Sequence, residues 1–158
     1  MGYYVKITKA RATMPSENVA EALKRLHELN KRDDLKTGGS FGPNGTTDER
    51  WFAWMPANYD QTTESAAQIL EMVGYEVEKF VDESFSILDY DSKTGCEATF
   101  IWAIADLFAP GSFIEWKGEE LGHEYRWEFG GGQRMIEREV MSVVWTEGVE
   151  FEPRTSWF

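Results

Sequence analysis

Glu115, Glu119, Glu120 and Glu124 surround His123 in the run 115–124, the densest group of side chains here that could do chemistry. Paired carboxylates can act as acid and base or hold a divalent cation. A histidine beside carboxylates is favoured in its charged form. A cation, however, needs several oxygens converging from fixed positions. Glu119 and Glu120 are neighbours in a turn, so nothing in the spacing makes them converge. Two readings follow. One is an enzyme using His123 with Glu119 or Glu120. The other, preferred here, is a solvated acidic loop offered to a partner, to which Asp89 and Asp91 of the Asp-Tyr-Asp run add two carboxylates. No metal site and no cofactor is called for.

Other reactive types are scattered. Cys96 is the single cysteine, so it has no partner for an internal disulfide or a multi-cysteine metal site. It follows Thr94-Gly95 just before a helix start, where a thiol can be activated. A small packed residue is the plainer reading. His27 falls beside Leu26 on a helical face, with no nucleophile near it in sequence. Residues 37–49 hold four glycines and Pro43. They lack the Gly-Lys-Ser/Thr ending of a phosphate loop and are expected to be irregular. Trp51, Trp54, Trp116 and Trp127 could stack bases. Only Arg50, Lys117 and Arg126 accompany them, so core packing accounts for them better and no direct nucleic-acid contact is expected.

These residues need elements to hold them. Tyr3 to Ala12 alternates as a strand, with Val5 and Ile7 on one side and Tyr4, Lys6 and Thr8 on the other. Ser16 is placed to cap a helix running to about Lys31, with Val19, Ala22, Leu23, Leu26 and Leu29 on one face. Arg50–Met55 reads as an apolar strand stopped by Pro56. Thr62 or Thr63 then caps a helix ending at Gly74. Residues 75–80 read as a short strand or an extended link, Phe85, Ile87 and Leu88 lead into 89–95 as a strand ending in a turn, and a helix over 97–109 ends at Pro110-Gly111. Residues 112–129 read as two strands joined by the acidic loop 119–124, and 134–145 as a third, with Tyr125, Trp127 and Phe129 sharing a face and a bulge expected at Glu137–Glu139. This is an α+β pattern: a largely antiparallel sheet of about five or six strands, helices on one face, and a C-terminal three-strand meander. Residues 1–145 form one domain and 146–158 a tail. The tail's Trp157 and Phe158 could extend a sheet edge or form a homodimer contact.

Composition bounds the function. The chain carries 16 basic and 28 acidic residues, a net charge of −12. Residues 1–36 are net +3, from eight bases and five acids. Residues 37–158 are net −15, from eight bases and 23 acids. Such a surface repels nucleic-acid backbones and attracts basic proteins. One cysteine, no apolar leader and no membrane-length apolar run point to the cytoplasm.

Three stretches resemble a family of small bacterial and bacteriophage proteins: Asp89-Tyr90-Asp91-Ser92-Lys93-Thr94-Gly95, Gly111-Ser112-Phe113-Ile114-Glu115-Trp116-Lys117-Gly118-Glu119-Glu120, and Arg126-Trp127-Glu128-Phe129 after Tyr125. Family members carry similar motifs, with tryptophan where this chain has Tyr125. The resemblance spans roughly residues 50–145. It implies a ferredoxin-like or related α+β fold and no assigned chemistry. Its phage members suggest roles in host takeover or defence evasion, hence the cytoplasm of a host cell. The expectation is a small, non-enzymatic acidic protein that inhibits a basic host protein, of a defence or nucleic-acid-binding kind. The alternative is a binder that sequesters a small ligand or nucleotide.

Overall fold

The protein is seen in a computed structural model that describes residues 2–41, 47–141 and 144–153. Alternation in the first strand, β1 (Tyr4–Arg11), turns Val5 and Ile7 inward and leaves Tyr4, Lys6 and Thr8 in solvent. A short β2 (Thr13–Met14) follows, then α1 (Val19–Leu29), which buries Ala22, Leu26 and Leu29. Next come β3 (Gly38–Phe41) and β4 (Thr47–Trp51), a one-turn α2 (Tyr59–Thr62) and α3 (Ala66–Val73). Strands β5 (Glu76–Lys79), β6 (Phe85–Asp89) and β7 (Asp91–Lys93) lead to α4 (Glu97–Ile104). The chain then forms β8 (Ser112–Gly118), β9 (Glu124–Gly130), β10 (Gln133–Met141), β11 (Val144–Trp145) and β12 (Val149–Glu150).

The architecture is α+β. A seven-stranded sheet runs in the order β11-β10-β9-β8-β1-β7, with β12 also on β10 and every pair antiparallel. A smaller sheet, β2-β6-β5, and the hairpin β3-β4 complete it. The two-residue period gives the large sheet an inner face of Ile114, Trp116, Tyr125, Trp127 and Phe129, against which α1, α3 and α4 share one core. Trp116 and Trp127 lie 4.8 Å apart, centroid to centroid. Each contributes on the order of several kcal/mol by burial. The outer face carries Lys6, Lys117, Glu115, Arg126 and Glu128.

Several local expectations fail. The apolar run at 50–55 is not one strand. It ends at Trp51, because Met55 N–H closes a turn on the Phe52 carbonyl at 2.9 Å and Trp54 takes φ 47°. The Trp54 indole N–H donates to the Val73 carbonyl at 2.9 Å, which holds that uncommon backbone in place. Part of the glycine-rich segment is regular: Gly38–Phe41 pairs with Thr47–Trp51. A Cβ on Gly38 would lie 2.1 Å from the Trp51 indole nitrogen, so the glycine gives the ring its seat. The remainder of that segment, 42–46, lies outside the described residues, as do Trp157 and Phe158.

Ser16 caps nothing by its side chain; residues 16–18 form a 3-10 turn ahead of α1. Helix α3 is capped by Ser65, not Thr62 or Thr63: Gln68 N–H donates to Ser65 Oγ at 3.1 Å, and Glu64 N–H donates to Gln68 Oε1 at 2.9 Å. The register irregularity in β10 falls between Gln133 and Ile136, ahead of Glu137–Glu139, which pair regularly with β9. Beyond Trp145, Val149 and Glu150 pair with Glu137 and Ile136, and Phe151 packs on the core.

Candidate functional site

The expected site residues do not form one constellation. Glu115 lies on the outer sheet face, where Arg126 Nη1 bonds its carboxylate. Arg126 also reaches Glu128 at 2.8 Å, and Arg138 reaches Glu128 at 2.9 Å. The Arg126 guanidinium stacks on Phe113, 4.0 Å from the ring centre. Burial alone would raise the Glu128 carboxyl; its bonds to Arg138 and Arg126 outweigh that and hold it below its ordinary value. Glu115 is therefore half of an ion-paired ladder, with its carboxylate already committed.

Glu119, Glu120 and His123 do meet, around a residue the sequence reading passed over. Tyr3 Oη lies 2.8 Å from His123 Nδ1 and accepts the Glu120 backbone N–H at 3.0 Å. Glu119 Oε1 accepts the Tyr4 backbone N–H at 2.5 Å. The Glu119 carboxylate thus serves the backbone of β1, and Glu120 takes part through its backbone N–H. Gly118 makes the approach possible, since a Cβ there would come within 2.1 Å of His123 Nδ1 and 2.4 Å of Tyr3 Oη. Glu124 and Asp91 close the two ends of one cross-strand row, Glu124–Lys117–Lys6–Asp91. They stand about 14 Å apart by strand spacing. Asp89 belongs to the other sheet, opposite Glu76.

The other reactive groups serve packing. His27 Nε2 lies 3.0 Å from Thr63 Oγ1. Cys96 is buried, and burial, with Glu97 adding, pushes its thiol far above the ordinary range, which disfavours the thiolate. Among the described residues no group of three His, Cys, Asp or Glu side chains is arranged to hold a metal ion. No helix among them is long and apolar enough to cross a membrane.

Two features gather what the sequence leaves dispersed. The first is an acidic edge. Glu64, Glu71, Glu76, Glu78, Asp82, Glu83 and Asp89 fall within residues 64–89, which form α3, β5 and β6 and hold Lys79 as their one base, and all but Asp89 are exposed. Lys79 is tied to Glu71 at 2.8 Å. Strand β5 is the outer strand of its sheet. Its turn into β6 leaves Val81 fully exposed and Phe80 44% exposed. Asp82 orders this turn by accepting the Ser84 backbone N–H at 3.0 Å, and Glu83 sits at φ 73°.

The second feature is a cleft of about 700 Å³ between the start of α4, the segment before β3 and residues 149–153. Glu137 lines it. Burial raises the Glu137 carboxyl above its ordinary value, opposed by the Trp127 indole N–H, which donates to Glu137 Oε2 at 3.0 Å. The signal for Glu137 was available: counting by twos from buried Met135 places it on the inner face.

The chain matches no family model, no curated protein and no solved structure.

Proposed function

We propose that this chain is a non-enzymatic binding protein whose acidic α3–β5–β6 edge docks on a basic surface of a protein partner. The observation that carries the reading is the concentration of seven carboxylates against one lysine across residues 64–89. Such a field steers and orients a basic partner. Charges on an edge strand also discourage unwanted strand pairing. That role alone does not account for Phe80 and Val81, which stand exposed beside them as apolar contacts.

The motif resemblance extends the proposal to a phage-encoded inhibitor of a host defence or nucleic-acid-binding protein, working as a charge mimic in the host cytoplasm. On the same footing, the finer fold reading is a ferredoxin-like arrangement with a meander of β8, β9 and β10, supported by the consecutive pairing of those strands. The test is charge reversal. Glu76→Lys with Glu78→Lys, both exposed, should abolish capture of partners that the native chain retains. Undiminished capture by the folded double variant would reject the acidic edge.

The cleft favours a second reading, a protein that sequesters a small ligand or nucleotide. About 700 Å³ is a ligand-sized volume. A thermal-shift screen with nucleotides decides it, because a ligand of the native state raises Tm.

A further inference from the structure

We infer that the cleft beside α4 receives an arginine side chain of the basic partner. Its lining includes Glu137, Glu152, Thr94, Thr99 and the half-buried ring of Phe151. No lysine, arginine or histidine is among its described lining residues. Glu150 also lines it but is already paired with Arg134 at 3.2 Å. Lys36, next to the lining residues Leu35 and Thr37, has its Nζ bonded to the Asn30 carbonyl at 2.6 Å and to Asp33 Oδ1 at 2.7 Å. It lies 5.7 Å from the Phe52 ring centre.

The occupant follows from this chemistry. Acidic and aromatic walls together select a cation that can also stack. A guanidinium does both: it forks onto a carboxylate and lies flat on a ring. The Trp127 N–H fixes Glu137 before binding, so little ordering is left for the ligand to bring about. Burying Glu137 without a cation is unfavourable, and an arriving guanidinium removes that cost.

The inference rests on the proposed basic partner and names the group held. The probes are Nα-acetyl-arginine amide and its neutral isostere, Nα-acetyl-citrulline amide, titrated into the full chain by NMR. The arginine compound should shift the amides of Thr94–Thr99, Glu137 and Val149–Phe151, and citrulline should not. Glu137→Gln should weaken binding about tenfold, the scale of one charge-assisted bond. Glu152→Gln reads the same effect should Glu137→Gln fail to fold. Equal shifts with citrulline, or arginine shifts confined to the α3–β5–β6 edge, would overturn the inference. So would binding that appears only in an Arg154→Gln variant, which would give the cleft to the chain's own next residue. The Glu76→Lys, Glu78→Lys variant keeps the cleft intact. Lost partner capture with retained arginine binding would separate the two sites.

Discussion

The Trp127 indole N–H donates to Glu137 Oε2 at 3.0 Å, so a ring at the centre of the core fixes a half-buried carboxylate on the wall of the cleft. The pairing is cross-strand: Glu137 stands opposite Trp127 in the β9–β10 register. A charge kept on an inner face lowers stability, and this one carries a recognisable pH signature.

Burial raises the Glu137 carboxyl above its unfolded value, and Glu139 adds to the shift. Its contribution is therefore fully present below the unfolded value, near pH 4, and is lost as pH rises through the folded value. Glu137→Gln imitates the protonated form and keeps an acceptor for Trp127. It should raise Tm at pH 7 and leave Tm nearly unchanged near pH 4. Thermal unfolding at the two pH values checks this. A lower Tm at pH 7 would show that the charge stabilises the fold.

The outer-face ladder should respond in the opposite sense. Glu128 is held below its ordinary value by Arg138 and Arg126. Its contribution is present above the unfolded value and is lost as pH falls through the folded one. Arg126→Gln removes bonds to Glu115 and Glu128 and the stack on Phe113. It should cost about 1–3 kcal/mol at neutral pH by urea unfolding. The cost should shrink toward pH 3. A cost that does not change with pH would assign the effect to packing of the arginine stem.

Gly118 is a steric requirement. Gly118→Ala drives a methyl group into the Tyr3–His123 contact and should cost about 1–3 kcal/mol. Gly132→Ala is the contrast. It meets no atom within 4 Å but sits at φ 87°, so its cost is backbone strain alone, about 1 kcal/mol. The imidazole resonances of His123 should move in the first variant and stay in the second. Unmoved His123 resonances in Gly118→Ala would mean that the turn relaxes around the methyl.

Much of the sheet was legible because burial there follows a strict two-residue period. Val5 with Ile7, and Tyr125 with Trp127 and Phe129, are on the faces their alternation assigns. Turn and cap chemistry was less legible. Thr62, Thr63 and Ser65 are all good caps, and the mark that separates them is the Ser65-x-x-Gln68 spacing of a capping box, which neither threonine has. Trp54 reads as a strand residue until the distant Val73 carbonyl is seen to hold its indole. Gly38 reads as a breaker until Trp51 is seen to lie on it.

The acidic character of the candidate surfaces was legible in composition. The hairpin glutamates 115, 119 and 120 are engaged with Arg126, with the Tyr4 N–H and, through its backbone, with Tyr3. A second group of seven carboxylates lies on and around α3, β5 and β6, spread over 26 positions of sequence, 64–89, and no short motif announces it. Only the antiparallel return of β6 on β5 brings Asp89 opposite Glu76.

The central claim is that acidic docking binds a basic protein partner. Its most direct test is the affinity of a captured partner as a function of salt, from about 50 mM to about 500 mM, where the Debye length falls below about 5 Å. The account predicts progressive weakening by at least about tenfold, carried by the association rate. The Glu76→Lys, Glu78→Lys variant should start weak and change little. An affinity for the native chain that is the same at both ends of the range would contradict the account.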